Sequence, residues 1–510
     1  MTTGGEEAPP HVRGEYRTDR SATVARTLVS IERGTGEPVY RQLRKALEHE
    51  IASGALDARH PLPSSRELAR ELGVSRNTVN TAYQELQAEG FVESRPRRGL
   101  FVNPEMLPHL DRGAAGHAAT SAVDWSRHLR PRLDSPLPEI AKVHDWNRYP
   151  YPFIAGQVDP ALFPRLAWAR ALREALDEPH LHYSLRDGID EDDPMLVEAL
   201  CQNVLPMRGI EADPEQVLVT LGSQQGLDLL SDTLLRPGDT VGVEDPGYLD
   251  ARHIFARGGA RLAPLTVDRA GVIPPPELTG IDLLYLTPSH HNPTNVTLSV
   301  GRRRQLISMA QESETLVIED DYDSEFRYQG RPTPALKALP GSERVIYLGT
   351  FSKFLAPGLR LGYLVADPEL VAELRSRRRY RVRHASGHTQ RAMALLIRNG
   401  QYQRTVRRRR THLQRKWHTL RDVLNEELPW STDAPPGGVT IWLSGPESLD
   451  GVELAARALA QGVVIERGDI YFDDSAAHRH HFRLGFAAIA HERIRPGVQH
   501  LGRVVASMGF

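Results

Sequence analysis

The chain changes its apolar rhythm once, and that change constrains the fold more than any other feature. From Val39 to Val102, apolar residues recur mostly at three- and four-residue steps; beyond Phe153 they form short strand-like runs alternating with helical segments. Between the two lie Pro104, Pro108, Gly113, Gly116, Pro131, Pro136 and Pro138, separated by small residues. One hydrophobic core does not accommodate both patterns, and 510 residues exceed what one ordinary core holds. The expected chain is multi-domain. Residues 1–35 are expected to be a mobile N-terminal extension, 36–103 a small α+β domain and 104–150 an interdomain linker. Residues 151–510 are expected to be a large α/β domain, its larger part over 151–385 and its smaller C-terminal part over 386–510. An extended linker of about forty-five residues reaches on the order of 100 Å.

Charge and cysteine content exclude some functions. The net charge is −2, so any nucleic-acid binding must come from local placement of basic residues. Cys201 is the only cysteine, which rules out an intramolecular disulfide and a multi-cysteine zinc site. The first residues carry acids and prolines where a secretory signal needs an apolar core, and no run is long enough to span a bilayer. A cytoplasmic location with no membrane partner is expected.

In LPSSRELARELGVSRNTVNTAYQELQAEGFVESRPRRGLFV, Ser64 suits a helix N-cap that Glu67 reciprocates, and Leu68, Ala69 and Leu72 form a buried stripe. Gly73 and Val74 make a tight turn. A second helix from Ser75 buries Val79, Ala82, Tyr83 and Leu86, leaving Arg76, Asn77, Thr78 and Asn80 at its exposed start. Phe91 to Val102 supplies two short strands around Arg95, Arg97, Arg98 and Gly99, a hairpin with positive charge at its tip. This is a winged helix-turn-helix pattern, with the second helix facing bases and the hairpin facing backbone phosphates. The segment resembles the GntR superfamily of winged-helix regulators. The resemblance implies Arg66, Ser75, Arg76, Asn77, Thr78 and Asn80 as DNA contacts, with Arg97 and Arg98 in the wing, where the usual Gly-x-Gly-Thr turn is absent.

A second constellation is spread through the large domain. VLVTL runs into Gly222, Ser223, Gln224 and Gln225 at the start of a helix, where free backbone N–H groups favour a phosphate. Asp320 ends the strand TLVIEDD, a placement suited to holding a cofactor's pyridinium nitrogen protonated, and Tyr322 lies two residues on. RVIYLGTFSKFLAPGLRLGYLV supplies Thr350 and Ser352, then Lys353 for a Schiff base and Arg360 for phosphate oxygens. These blocks, with HHNPTN at 290–295 and FRLGFA at 482–487, resemble fold-type I aminotransferases. Joined to the winged helix they resemble the MocR/GabR-type subfamily of GntR regulators, over nearly the whole chain from Pro38.

That resemblance implies pyridoxal 5'-phosphate as cofactor, Lys353 as its Schiff-base lysine, Asp320 under the ring nitrogen and Tyr322 on the ring oxygen. Tyr248 would stack on the ring, and Arg483 would take the carboxylate of a bound amino compound. Asn292 departs from the aromatic residue of many such regulators and matches the asparagine of aminotransferases; Asn295 replaces a usual glycine. Arg483 has an alternative in pairing with an acid such as Asp473 or Asp474, and His290 and His291 read as structural or pocket-lining, with no metal site. The implied function is a regulator sensing an amino acid or amine by aldimine exchange; the alternative is a working aminotransferase with an appended DNA-binding domain. A homodimer on a two-half-site operator is the implied assembly. Arg377–Arg383 and Arg407–Arg410 are read either as solvated helix faces or as a positive strip against DNA.

Overall fold

A computed structural model describes residues 37–53, 55–56, 58–96, 98–105, 123–124, 127–128, 137–138, 140, 142–330, 333–430 and 434–510. The expected extension, residues 1–35, lies outside the described residues, as do most of the linker and Arg97. The chain divides into two compact units, residues 1–130 and 131–510.

The first unit begins with α1 (Val39–Ala52), whose Leu43, Leu47 and Ile51 are buried with residues of the next two helices. In α2 (Ser65–Leu72) the cap is reciprocal: the Glu67 N–H donates to Ser64 Oγ at 3.3 Å, and the Ser64 N–H donates to Glu67 Oε2 at 3.0 Å. Such a cap stabilises a helix by about 1 kcal/mol. Gly73 ends α2 in the left-handed region at φ 63°, where a side chain would be strained. Ser75 then caps α3 (Arg76–Ala88), which buries Val79, Ala82, Tyr83 and Leu86. The wing is β1 (Val92–Arg95) against β2 (Gly99–Val102), antiparallel, with Val92 opposite Val102 and Arg95 opposite Gly99.

The second unit starts before the expected boundary at 151. Leu137 and Ile140 pack on Leu249, Ile470 and Tyr471, and a His253 ring nitrogen lies 2.9 Å from the Pro138 carbonyl oxygen. The end of the expected linker is therefore part of this unit, because its few apolar residues find a core despite the surrounding prolines. Its strands are β3 (Tyr151–Pro152), β4 (Val217–Thr220), β5 (Thr240–Asp245), β6 (Arg261–Asp268), β7 (Gly271–Val272), β8 (Leu283–Leu286), β9 (Leu316–Asp321), β10 (Val345–Thr350), β11 (Gly362–Val365), β12 (Thr440–Ser444), β13 (Val463–Val464), β14 (Glu466–Arg467) and β15 (His481–Gly485). One large sheet runs β4–β11–β10–β9–β8–β5–β6–β7. Strands β10, β9, β8, β5 and β6 run parallel to one another, while β11 is antiparallel to β10 and β4, and β7 is antiparallel to β6. The central strands carry near-continuous apolar runs because both faces are covered: Leu283, Leu284, Ile318, Ile346 and Leu348 are all buried. A smaller sheet, β12–β15–β14, places Arg483 directly opposite Glu466. Among the described residues no helix is long and apolar enough to cross a membrane.

The two arginine runs fall on α5 (Pro368–Val382) and its C-cap Arg383, and on α6 (Gln401–Glu427); α4 (Ser223–Leu234) precedes both. Most arginines of the two runs are paired within the unit, while Arg407 and Arg408 are exposed. Arg378 is fully buried and donates to Asp192 Oδ1 at 2.6 Å and to the Val219 carbonyl. Arg377 pairs with Asp232 and Glu373, Arg379 with Asp190, Arg381 with Asp228 and Asp232, and Arg383 with Asp187. Arg409 is buried and donates to the carbonyls of Phe354 and Leu355, its guanidinium pushed down to about 10 by burial. Arg408 donates to the Leu162 carbonyl and Arg410 to that of Glu325. Of the two readings of these runs, solvated faces or a positive strip, the pairing shows a third element: acids far away in sequence hold the first run, and main-chain carbonyls hold Arg408, Arg409 and Arg410 of the second.

Candidate functional site

The C-terminal ends of the parallel strands converge on one cleft, the place where sheets of this kind bind ligands. Gly222 turns the chain from β4 into α4 at φ 86°, and a Cβ there would stand 3.2 Å from Arg360 Nη2. Arg360, itself left-handed at φ 46°, donates through that nitrogen to the Leu221 carbonyl at 2.7 Å, so its guanidinium lies on the turn. Ser223 is the first residue of α4 and half-buried, whereas Gln224 points to an exposed surface. The inward glutamine is its neighbour: Gln225 Oε1 accepts from the Leu221 N–H at 2.6 Å, and Gln225 Nε2 is buried with no hydrogen-bond partner. On the loop after β10, the Ser352 N–H donates to Thr350 Oγ1 at 3.1 Å, and Ser352 Oγ is likewise buried without a partner. Unpaired buried donors cost stability unless a ligand completes them. This cradle of N–H groups, hydroxyl and guanidinium fits a phosphate.

Asp320 is the penultimate residue of β9 and is buried. Tyr285, on β8, donates from its hydroxyl to Asp320 Oδ2 at 2.9 Å, and Asp320 Oδ1 is buried with no partner. Burial pushes the carboxyl up to about 7, opposed by the Tyr285 hydrogen bond and, more weakly, by Lys353. A protonated ring nitrogen would complete Oδ1 and restore the carboxylate, so the residues present fit a pyridine cofactor. Tyr285 was not foreseen; a tyrosine in the apolar run LLYL is the one hint the sequence offers.

Tyr322 and Lys353 meet in the same cleft, with the lysine Nζ 5.9 Å from the ring centroid. Burial lowers the Lys353 pKa, helped by the charges of Lys142 and Arg483, which favours a nucleophilic amine. Tyr248 lines the cleft and donates to Asp250 Oδ2 at 3.0 Å. The Asn292 N–H donates to Thr287 Oγ1 at 3.0 Å, and its Oδ1 accepts from Arg483 Nη1 at 3.2 Å. Asn295 takes the left-handed conformation its position requires, at φ 61°, and its amide nitrogen donates to Thr440.

Arg483 reaches the cleft, but it is already paired. Its Nε donates to Glu466 Oε2 at 2.9 Å, while Nη2 donates to the same carboxylate and to the Tyr471 hydroxyl. Burial alone would raise the Glu466 carboxyl, yet the charge and hydrogen bonds of Arg483 hold it below its ordinary value. Asp473 and Asp474, the acids suggested by the sequence, are elsewhere: Asp473 approaches Arg252, and Asp474 accepts from the N–H groups of Ala476 and Ala477. The partner is Glu466 because β14 and β15 are in register, which sequence distance conceals. Lys142, inside the expected linker, also lines the cleft and was not foreseen. His290 Nδ1 lies 2.8 Å from Asp323 Oδ1, and His291 Nδ1 lies 2.7 Å from Thr294 Oγ1. Among the described residues no group of three or more His, Cys, Asp or Glu is placed to hold a metal.

In the first unit, Arg66, Ser75, Arg76, Asn77 and Arg98 are exposed, while Thr78 and Asn80 are half-buried. Ser75 Oγ accepts from the Thr78 N–H at 3.1 Å and lies 2.8 Å from Thr78 Oγ1, so these two residues build the helix cap. The first turn of α3 carries no acid, which leaves its positive end unopposed. Arg76 Nε donates to Ser65 Oγ at 3.3 Å, a hydrogen bond rather than an ion pair. Arg95, by contrast, is tied to Glu93 and lies over the Phe101 ring.

Residues 159–501 match the family described as aminotransferase class I and II, and residues 39–102 match bacterial regulatory proteins of the gntR family. The HTH-type transcriptional regulator TauR of Rhodobacter capsulatus is 37% identical over 92% of this chain and 97% of its own. The probable rhizopine catabolism regulatory protein MocR of Rhizobium meliloti is 33% identical, over 93% of this chain and 95% of its own. The crystal structure of the multiple substrate aminotransferase of Thermococcus profundus superimposes with a TM-score of 0.67 at 27% identity, covering 76% of this chain and 99% of that one.

Proposed function

This chain belongs to the MocR/GabR-type subfamily of GntR regulators, a DNA-binding transcription regulator with an aminotransferase class I and II domain, and we propose that its second unit binds pyridoxal 5'-phosphate and senses an amino acid or amine there. Asp320 carries the reading: a buried carboxyl with one oxygen hydrogen-bonded by Tyr285 and the other unpartnered is suited to a ring nitrogen. The cofactor supplies, when bound, an aldehyde that captures a primary amine and a ring that withdraws electrons. Lys353 would hold the aldehyde carbon, and Asp320 would keep a proton on the ring nitrogen. Tyr322 and Asn292 are suited to the ring oxygen, and Tyr248 to the ring's side. Ser223, Gln225, Thr350, Ser352, Arg360 and the N-terminus of α4 would hold the phosphate; Gln224, exposed, is suited to it only through its backbone. Arg483 orients Asn292 and faces the amino compound.

The first unit would meet operator DNA through Arg66, Arg76, Asn77 and Asn80, with Ser75 and Thr78 presenting the helix end and the wing's Arg97 and Arg98 on phosphates. A homodimer on two half-sites and a cytoplasmic location follow from this role. The full chain loaded with cofactor is expected to absorb in the visible, and Lys353→Ala is expected to lose the adduct that borohydride traps while still binding operator DNA. An adduct retained at another lysine sinks the assignment.

Asn292 favours a second reading, a working aminotransferase, because that residue matches the enzymes rather than many of the regulators. Keto-acid formation with a panel of amino donors separates the two. Steady turnover would replace the pure regulator with an enzyme that also binds DNA.

A further inference from the structure

Asn292 reaches the cleft from a turn rather than from a strand, so its placement depends on what holds that turn. At the side chain, Oδ1 accepts from Arg483 Nη1 at 3.2 Å, which leaves the amide N–H groups as the end that can serve a ligand. At the main chain, the Asn292 N–H donates to Thr287 Oγ1 at 3.0 Å. A hydroxyl carries a single hydrogen, and Thr287 is a fixed acceptor for Asn292 only while that hydrogen is given elsewhere. It is given to Glu244: Thr287 Oγ1 donates to Glu244 Oε2 at 2.6 Å, and the Thr287 N–H donates to the same oxygen at 3.0 Å.

Glu244 lies on β5, where the pairing of Val243 with Tyr285 sets it level with the chain that leaves β8. It is buried, and burial pushes its carboxyl up to about 8 against the two hydrogen bonds from Thr287. Among the described residues the one basic side chain within ion-pairing distance is His291, whose Nε2 stands 3.6 Å away. Burial pushes that ring down to about 3, so it is neutral and offers no charge. A carboxyl buried without a cation costs stability, and this one directs both polar hydrogens of a single threonine.

We propose that Glu244 and Thr287 are positioning residues, a hydrogen-bonded line from Glu244 through Thr287 to Asn292 that holds the Asn292 amide on the cofactor's ring oxygen. The inference rests on the cofactor reading and deepens it. An N–H donated to that oxygen favours its anionic form, so a displaced Asn292 lets the oxygen and the Lys353 nitrogen keep the proton between them to higher pH.

The test follows the visible absorption of the cofactor-loaded full chain across pH and compares the midpoint of its change among variants. Asn292→Ala defines the full effect, a rise of roughly one pH unit, the scale of one hydrogen bond to a charged group. Glu244→Leu and Thr287→Val are each expected to raise the midpoint, and Thr287→Val combined with Asn292→Ala to raise it no further than Asn292→Ala alone. Glu244→Gln, whose amide oxygen still accepts, is expected to keep the wild-type midpoint. Charge does not account for such a pattern. Loss of the Glu244 charge would lower the midpoint, Thr287→Val changes no charge, and Lys142, Asp250, His291, Asp320, Lys353 and Arg483 are the same in every variant. A role confined to packing would lower the thermal midpoint of Glu244→Leu and Thr287→Val and leave the absorption midpoint in place, which overturns the proposal. Shifts that add to that of Asn292→Ala, or a Glu244→Gln that behaves as Glu244→Leu, overturn it as well. An Asn292→Ala at the wild-type midpoint removes the amide from the ring oxygen and the proposal with it. A wild type that gains no visible absorption with the cofactor fails the cofactor reading itself.

Discussion

The N-terminal end of α3 and the arginine-rich faces of α5 and α6 are built from the same residue type and come to opposite ends. Arg66, Arg76 and Arg98 are exposed, and no acid stands in the first turn of α3. Arg378 and Arg409, in denser runs, are buried against Asp192 and against main-chain carbonyls. The electrostatic field of a region is therefore set by which charges lack partners, not by how many lie close in sequence. Arg378 and Arg409 hold the large domain together, whereas Arg66, Arg76 and Arg98 stand exposed on the small one.

The strongest way to break this comparison is to remove a buried clamp. Arg378→Ala strands Asp192 without one of its cations, and a loss of about 3–5 kcal/mol is expected by chemical denaturation. A loss below about 1 kcal/mol would mean that Arg375, which also pairs with Asp192, suffices alone.

Asp320 is the counterpart among the acids, buried with a tyrosine and, among the described residues, no cation in hydrogen-bonding contact. Its carboxyl is raised from 3.8 to about 7, so the folded chain without cofactor holds that proton more tightly than the unfolded chain. Its contribution to stability is complete below the unfolded value and is lost as pH rises through about 7. The slope is at most about 1.4 kcal/mol per pH unit. Thermal unfolding across that window is expected to show a shallower decline with rising pH in Asp320→Asn than in the wild type. Parallel curves would place the carboxyl back in the ordinary range.

A smaller effect is expected at the unpaired arginines. Arg76→Ala is expected to weaken operator binding by about 1–3 kcal/mol while leaving the denaturation midpoint and the cofactor's absorption unchanged. A shift in stability of the same size would show that its hydrogen bond to Ser65 serves the fold instead.

The smallest effect tests the outer rim of α6. Arg408 donates to the Leu162 carbonyl, and exchanging it for Gln is expected to leave the salt dependence of binding to long operator DNA within error of the wild type. A phosphate contact would instead change the slope by roughly 0.9. That change would restore a DNA-facing role for this helix.

Much of the fold was legible because the signals are local. Glu67 stands three residues after Ser64, the apolar runs at 217–220, 283–286, 316–321 and 345–350 are strands as read, and Gly222 opens a helix at the expected turn. The cluster Asp320, Tyr322, Lys353 and Arg360 was readable because each residue sits at a strand end or the turn beyond it, where chain geometry alone directs it to one edge of the sheet. Tyr285 under Asp320, Glu466 opposite Arg483, Asp192 under Arg378 and Lys142 beside Lys353 were not readable. Each depends on strand register, helix packing or the docking of a connector between residues far apart in sequence. The sequence by itself determined which residues carry chemistry and which elements hold them. The tertiary structure alone decided which charges meet a partner, because a charge's environment is set by neighbours in space, and only folding chooses those.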